Sequence, residues 1–163
     1  MNKKDLNLGI IGMGYVGLPL ASEFAKKRNV IGFDLNKNKV LQILKKKIRF
    51  KVTTNMKLLK NCKIIIVSVP TPINKSKKPN LKLLKKACID IGKNISKGTL
   101  VVFESTVYPG CTEEFCMPLI SKLSRLKINK DIFFGYSPER INPGDKKHSL
   151  LKINKLVSGS NKQ

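Results

Sequence analysis

Short runs of apolar, often β-branched residues recur along the chain, and polar turns separate them. The clearest run is Ile64-Ile65-Ile66-Val67, and Pro70 follows it closely. Runs of this length and composition are typical of strands in a parallel sheet that is covered on both faces. On this basis we predict five strands, over residues 6–11, 30–33, 63–69, 99–103 and 132–136.

Helical periodicity occupies the stretches between these strands. We predict helices over residues 15–28, 36–47, 81–95 and 112–123, the last with a kink at Pro118, because proline cannot donate the helical hydrogen bond. The 81–95 helix has the most regular apolar stripe, formed by Leu84, Ala87, Cys88, Ile91 and Ile95. Weaker signals predict a short strand near Val52, a one- or two-turn helix over 56–60, and the start of another strand at 155–157.

The strands and helices alternate along the whole chain. Alternation of this kind predicts an α/β fold with a Rossmann-type, doubly wound parallel sheet. The length of 163 residues suits one domain, and the sequence contains no internal repeat and no low-complexity linker. We therefore expect a single domain over residues 1–163.

The chain is strongly basic, with 33 lysines and arginines against 10 acidic residues and a formal net charge of +23. This charge raises the possibility of nucleic-acid binding. However, the lysines are scattered, and aromatic residues make up only 6% of the chain and do not alternate with them as a base-stacking surface requires. A general bias towards lysine, asparagine and isoleucine explains the charge equally well, so no specific nucleic-acid partner is expected.

Two further classes of protein are disfavoured. The longest uncharged apolar run, 64–70, is far shorter than the ~20 residues that span a bilayer, and no apolar leader precedes the first strand. We therefore expect a cytoplasmic protein without membrane contact. The four cysteines form no C-x-x-C pair, and His148 is the only histidine, so no metal site is expected.

A glycine motif provides the first candidate chemistry. Gly12, Gly14 and Gly17 follow a predicted strand and open a predicted helix, as a dinucleotide-binding turn requires. Asp34 ends the next strand, where a carboxylate accepts hydrogen bonds from an adenosine ribose and repels a 2′-phosphate. This favours NAD over NADP, although Lys37 or Lys39 could neutralise a phosphate. The alternative is a glycine turn that binds nothing.

Three more motifs follow strands of the predicted sheet, in the segments 69–72, 104–110 and 136–145. Ligands of open α/β sheets bind beyond the carboxyl ends of the strands, so each motif is a candidate site. Glu139 could act as a general acid or base, and Arg140 could bind a phosphate or carboxylate. The structural alternatives are a strand terminator, a capped loop and a surface ion pair.

Together these motifs resemble the N-terminal domain of the UDP-glucose/GDP-mannose dehydrogenase family, and most closely its branch that oxidises UDP-N-acetyl-hexosamines such as UDP-N-acetylglucosamine. The resemblance covers nearly the whole chain. It implies oxidation of the sugar C6 alcohol to a carboxylate with two NAD⁺, through an aldehyde and a cysteine thioester, for polysaccharide precursor synthesis. The matching segments are 11–21 (IGMGYVGLPLA), 32–34 (GFD), 69–74 (VPTPIN), 104–114 (ESTVYPGCTEE) and 135–145 (GYSPERINPGD).

The resemblance also implies a role for each matching residue. Asp34 with Lys39 would bind the adenosine ribose, and Thr71 and Thr106 would contact the cofactor. The pyrophosphate would be held by Gly12, Gly14, Tyr15, Val16 and Gly17.

Catalytic and substrate roles fall on the later motifs. By resemblance, Thr106 helps to position a catalytic water and Glu139 is the acid/base. Arg140 and Ile141 would contact the UDP-N-acetyl-sugar.

Two departures from the family pattern limit these expectations. The segment 45–55 is shorter than its counterpart in the family, and the central helix and the C-terminal domain, which carries the nucleophilic cysteine, have no match here. We therefore expect the chain alone to be inactive. It is a truncated gene product, one half of a split enzyme whose C-terminal half is separately encoded, or an excised domain. The alternatives are a non-catalytic NAD-binding module and a degraded remnant of such an enzyme.

Overall fold

Seven strands form one sheet in the computed structural model, which describes residues 7–140 and 154–161. The strands are β1 (Leu8–Ile11), β2 (Val30–Phe33), β3 (Lys51–Thr53), β4 (Ile64–Val67), β5 (Thr99–Phe103), β6 (Ile132–Tyr136) and β7 (Ser158–Gly159). The α-helices within the described residues are α1 (Gly17–Phe24), α2 (Lys37–Leu44), α3 (Lys82–Asn94) and α4 (Met117–Ser124). A 3₁₀ helix, Met56–Leu59, precedes β4.

The strand order is β3-β2-β1-β4-β5-β6-β7, and β1 to β6 are parallel. The first six strands thus follow the Rossmann order. Successive strands are added to one side of β1 up to β3 and to its other side from β4 onwards, so the topological switch point lies between β1 and β4. The final strand, β7, pairs antiparallel with β6 through Gly135–Gly159 and Tyr136–Ser158. The predicted doubly wound α/β fold is therefore confirmed, with one antiparallel strand added at the edge.

The two faces of the sheet form two hydrophobic clusters, because successive residues of a strand point to opposite faces. Ile65 and Val67 of β4 belong to the cluster that contains the buried residues of α3 and α4. Ile66, between them in sequence, belongs to the cluster that contains the buried residues of α1 and α2. Burial on both sides accounts for the unbroken β-branched run of this strand.

Three of the predicted strands, 30–33, 99–103 and 132–136, have the bounds that the sequence indicates. The strand predicted to start at 155–157 is wrong by position, because the residues that pair with β6 are Ser158 and Gly159. Around Pro118 the chain forms a π-helical turn, Thr112–Cys116, directly before α4. The wider turn accommodates the missing proline N–H, so the irregularity precedes Pro118.

The parallel strands place their carboxyl ends at one edge of the sheet. Gly12, Asp34, Ser68, Glu104 and Ser137 each follow directly after a strand end. Backbone hydrogen bonds continue the pairing to this level, for example from the Glu104 N–H to the Val67 carbonyl at 2.8 Å. This edge therefore presents a row of polar groups on a rigid scaffold.

Candidate functional site

The glycine turn after β1 has a different steric requirement at each glycine. Gly12 has a φ of +96°, and a Cβ there would lie 2.8 Å from the Ser68 carbonyl oxygen. A Cβ at Gly17 would lie 1.8 Å from the Gly12 carbonyl oxygen. At Gly14 nothing lies within 4 Å of a Cβ, so this position faces open space. The first and third glycines are required by packing, whereas the second leaves room for a ligand.

Ser68 fixes this turn from the neighbouring strand β4. Its Oγ lies 3.0 Å from the Gly12 carbonyl oxygen and 3.2 Å from that of Ile11, so the hydroxyl donates to the turn. Sequence reasoning missed this residue. The signal available was its position, since it immediately follows the apolar run of β4 and therefore lies beside the end of β1.

Asp34 is buried at the end of β2 and held by three donors. The Met13 N–H (2.9 Å) and the Lys39 ammonium (3.0 Å) bind Oδ2, and the Asn36 N–H binds Oδ1 at 2.9 Å. The Asn36 side chain also caps α2 by accepting from the Lys39 N–H at 3.1 Å. The carboxylate therefore has a fixed orientation beside the glycine turn, and the charge of Lys39 is paired with it.

A cavity of about 280 Å³, which we term the first cavity, opens beside Asp34. Its walls are mostly apolar and come from β1, β2, the segment after β4 and α3. Sequence reasoning identified the apolar stripe of α3 but did not single out Leu83 of that helix, which is 44% exposed and lines this cavity. The lining includes Gly12, Asp34, Leu35, Lys39, Val69, Pro70, Leu83 and Asp90.

A second cavity of about 460 Å³ lies on the other side of Val69 and Pro70, which line both. Motifs that are far apart in sequence converge here. The predicted site residues that line the second cavity are Gly14, Tyr15, Val16, Thr71, Thr106 and Glu139.

Hydrogen bonds join the loops after β4 and β5 at the second cavity. The Thr71 hydroxyl donates to the Thr106 carbonyl, and the Ser105 hydroxyl donates to the Val69 carbonyl at 2.7 Å. Ser105 is buried, whereas the Thr106 side chain is exposed at the cavity. The two loops therefore present their polar groups from a fixed position.

Two carboxylates, Glu104 and Glu139, line the second cavity, and Lys155 contacts both. The Lys155 ammonium lies 2.8 Å from Glu104 Oε1 and 3.7 Å from Glu139 Oε2. Burial raises the pKa of the Glu104 carboxyl, the negative charge of Glu139 adds to this effect, and Lys155 opposes it. Sequence reasoning selected Glu139 and included Glu104 in a candidate motif, but it missed Lys155.

Of the two predicted substrate contacts, Arg140 and Ile141, the structure describes only Arg140. Arg140 is exposed and donates its backbone N–H to Glu139 Oε1 at 2.7 Å, and its side chain lines neither cavity as far as the described residues define them. Ile141 lies outside the described residues.

All four cysteines are buried and none forms a disulfide. Burial raises the pKa of the Cys62 and Cys111 thiols to about 11, and hydrogen bonding to Cys88 together with burial raises the pKa of Cys116. Within residues 7–140 and 154–161 no group of three or more histidine, cysteine or acidic residues could hold a metal ion. No helix in the same ranges combines the length and apolar character needed to cross a bilayer.

Comparison with known proteins places this geometry in context. The model of the UDP-glucose/GDP-mannose dehydrogenase family, NAD binding domain, matches residues 6–51 and 42–163. The two matched segments overlap over residues 42–51, which include most of the stretch 45–55, where the sequence is expected to be shorter than the family.

Curated relatives and solved structures agree with this match. The chain is 48% identical over 171 residues to UDP-N-acetyl-D-glucosamine 6-dehydrogenase of Pseudomonas aeruginosa, which covers 96% of this chain and 40% of the relative. It is 47% identical over 166 residues to protein CapL of Staphylococcus aureus, covering 94% of this chain and 39% of the relative.

Among solved structures, NDP-N-acetyl-D-galactosaminuronic acid dehydrogenase of Methanosarcina mazei Go1 superposes with a TM-score of 0.85 at 27% identity, over 98% of this chain and 40% of that one. The chain therefore spans about 40% of the length of such relatives.

Proposed function

Because this chain belongs to the UDP-glucose/GDP-mannose dehydrogenase family and contains its NAD binding domain, we propose that it is the NAD-binding part of a UDP-N-acetyl-hexosamine 6-dehydrogenase. The complete enzyme oxidises the C6 alcohol of UDP-N-acetylglucosamine to a carboxylate with two NAD⁺, for surface polysaccharide precursors. The name of the 48% identical relative, UDP-N-acetyl-D-glucosamine 6-dehydrogenase, supports this choice of sugar. We treat residues 1–163 as one domain.

The glycine turn carries the proposal for the cofactor. The open face of Gly14, beside the fixed carboxylate of Asp34, is a cradle that a Cβ would fill. Gly12, Gly14, Tyr15, Val16 and Gly17 would hold the pyrophosphate at the start of α1, where the helix dipole favours an anion.

The ribose and the adenine would then lie at the first cavity. Asp34 with Lys39 would bind the ribose hydroxyls, and the apolar walls around Leu35 and Leu83 would hold the adenine. Thr71 and Thr106 would contact the cofactor in the second cavity. NAD⁺ supplies the hydride acceptor of the reaction when it is bound.

The chain also supplies the proton chemistry in this proposal. Glu139 accepts the proton of the C6 hydroxyl, directly or through a water that Thr106 positions. Both residues line the second cavity, next to the proposed cofactor contacts. Arg140 and Ile141 are the proposed contacts to the UDP-N-acetyl-sugar.

The nucleophile of the second oxidation comes from outside these residues. All four thiols are buried, and for Cys111, the cysteine in the motif after β5, burial raises the pKa to about 11. At neutral pH a thiol with that pKa is ionised in about one molecule in ten thousand, and the thiolate is the reactive form. We propose that a C-terminal half, which residues 1–163 do not include, provides the nucleophilic cysteine, and that residues 1–163 alone do not turn over.

Calorimetric titration with NAD⁺ tests this proposal. At about 0.15 M salt, where charges more than ~8 Å apart are screened, we expect saturable one-site binding. Asp34→Ala should weaken it at least tenfold, since it removes the ribose acceptor. Glu23→Ala is the matched control, because it removes the same charge from a surface ion pair that Glu23, near the end of α1, forms with Lys26.

Two outcomes would contradict the proposal in different ways. If NAD⁺ does not bind, the site is not a working cofactor site, and the degraded-remnant interpretation gains support. If NAD⁺ binds but no C-terminal half of a relative restores UDP-N-acetylglucosamine oxidation, the chain is a non-catalytic NAD-binding module.

A further inference from the structure

Three charged side chains meet beside the second cavity, where Glu104 and Glu139 belong to its lining and Lys155 contacts both, and we term them the Glu104–Lys155–Glu139 cluster. Glu104 directly follows β5, Glu139 lies three residues after β6, and Lys155 precedes β7. Lys155 lies between the two carboxylates, 2.8 Å from Glu104 Oε1 and 3.7 Å from Glu139 Oε2. The exposed fractions of the side chains are 6% for Glu104, 11% for Glu139 and 21% for Lys155.

The antiparallel strand β7 brings the lysine to this position. Residues 158 and 159 pair with Tyr136 and Gly135, so the segment before them runs beside the end of β6. The Asn129 amide also donates to the Ser160 carbonyl at 3.0 Å, on the far side of this pairing. A two-residue strand with little burial of its own is thereby anchored at several points, and the segment before it carries Lys155, whose side chain is half-buried.

Burial makes this arrangement costly unless the charges satisfy one another. An ammonium and a carboxylate withdrawn from water each need a charged partner and hydrogen bonds. Glu104 supplies the closer partner and lies deeper, so it determines where the ammonium sits. Glu139 is constrained at both oxygens, because Oε1 accepts from the Arg140 N–H at 2.7 Å and Oε2 faces Lys155.

We propose that Lys155 is a positioning residue that orients the Glu139 carboxylate in the second cavity, and that Glu104 is the residue that holds Lys155 in place. The inference rests on the proposed function, in which Glu139 is the acid/base. Neither Lys155 nor Glu104 acts on the substrate in this scheme. Both act through Glu139.

The charge balance of the cluster gives the inference a measurable consequence. Two carboxylates share one ammonium, and Glu104 Oε2 is buried and accepts no hydrogen bond from any described residue. Burial raises the pKa of Glu104, Lys155 lowers it, and Glu139 raises it. Among the described residues, Lys155 and Glu139 are the charged groups that act on Glu104, so removing each should move its titration in opposite directions.

Carbon-13 NMR of the 163-residue chain, labelled at the glutamate carboxyls, measures this directly. The Glu104 and Glu139 resonances are assigned by their absence in Glu104→Gln and Glu139→Gln. We expect Lys155→Met to move the Glu104 titration midpoint upward and Glu139→Gln to move it downward. Lys155→Arg, which retains the charge, should restore the wild-type midpoint.

The Glu139 resonance reports the positioning itself. We expect it to be displaced in Lys155→Met and in Glu104→Gln, and to return towards its wild-type position in Lys155→Arg. Lys97→Met is the matched control, because Lys97 pairs with Asp131 near the start of β5, at the opposite end of the sheet. It removes the same charge and should leave both resonances unchanged.

Several results would overturn the inference. If Lys155→Met leaves both resonances unchanged, or moves Glu104 in the same direction as Glu139→Gln, Lys155 does not hold the pair. If the Glu139 resonance moves in Lys155→Met but stays unchanged in Glu104→Gln, Glu104 does not hold Lys155 in place. An NAD⁺ titration of the wild-type chain tests the proposed function separately, so opposite shifts without NAD⁺ binding would reject that function and retain the cluster.

Discussion

Adding one methyl group at Gly17 or at Gly14 should separate folding from binding in the glycine turn. A Cβ at Gly17 would lie 1.8 Å from the Gly12 carbonyl oxygen and 2.5 Å from Ser68 Oγ. The carbonyl is backbone within a turn that Ser68 already fixes, so it cannot move aside without breaking those hydrogen bonds. A Cβ at Gly14 meets nothing within 4 Å.

The two substitutions should therefore differ in magnitude and in kind. Overpacking costs about 1–3 kcal/mol, and contact with fixed backbone places Gly17→Ala at about 3 kcal/mol. With an m-value near ~2 kcal/mol/M for a domain of this size, the urea midpoint should fall by about 1.5 M. Gly14→Ala should change the stability by less than about 0.5 kcal/mol. Its methyl group should instead block the pyrophosphate and weaken NAD⁺ binding about tenfold or more, which is ~1.4 kcal/mol.

Urea denaturation followed by circular dichroism gives the stabilities, and calorimetry gives the NAD⁺ affinities. The reasoning would be refuted if Gly17→Ala kept the wild-type midpoint, since the turn would then tolerate a Cβ that the geometry excludes. It would also be refuted if Gly14→Ala bound NAD⁺ as tightly as the wild type, because the open face would then not be the pyrophosphate cradle.

Three further predictions concern the first cavity and the core. Lys39→Met should raise the ratio of the NADP⁺ to the NAD⁺ dissociation constant, because Asp34 then repels a 2′-phosphate unopposed. Lys45→Met, at the exposed C-terminal end of the same helix, is the control, and calorimetry with both cofactors measures the ratio. Leu83→Asp should weaken NAD⁺ binding severalfold and leave the urea midpoint nearly unchanged, because the side chain is 44% exposed and lines the cavity. Burial raises the pKa of Cys62 from 9.0 to about 11, so its contribution to stability is complete below pH 9 and is lost as the pH rises towards 11. Denaturation across that range should show a smaller loss of stability in Cys62→Ala than in the wild type.

The central strands could be predicted from the sequence because a strand that is buried on both faces needs a continuous run of apolar residues. The run of β4 is β-branched at every position, β5 is β-branched at three of its five positions, and β6 is rich in aromatic residues. The strand β7 has no such apolar run. It has two exposed residues, Ser158 and Gly159, and it forms because β6 offers an edge, which is a property of the assembled sheet.

The π-helical turn before α4 is a second feature that the sequence predicts only in part. Pro118 predicts an irregularity, because it removes a donor, but the sequence does not specify how the helix absorbs it. The structure absorbs it one turn earlier, over Thr112–Cys116, where Cys111 and Cys116 pack into the core. The choice depends on which side chains α4 must bury against α3.

In the candidate site too, some residues could be predicted from the local sequence, whereas others depend on contacts that form only in the folded sheet. The backbone demands of Gly12 and the place of Asp34 at a strand end are local, so the sequence predicted both residues. Lys155 could not be found in that way, because its partner Glu104 is 51 residues away and the contact requires β5, β6 and β7 to be neighbours. A lysine among 33 basic residues carries no signal of its own. What distinguishes Lys155 is that the fold partly withdraws it from water between two carboxylates that line a cavity, and this physical cost is the reason to expect that it has a role.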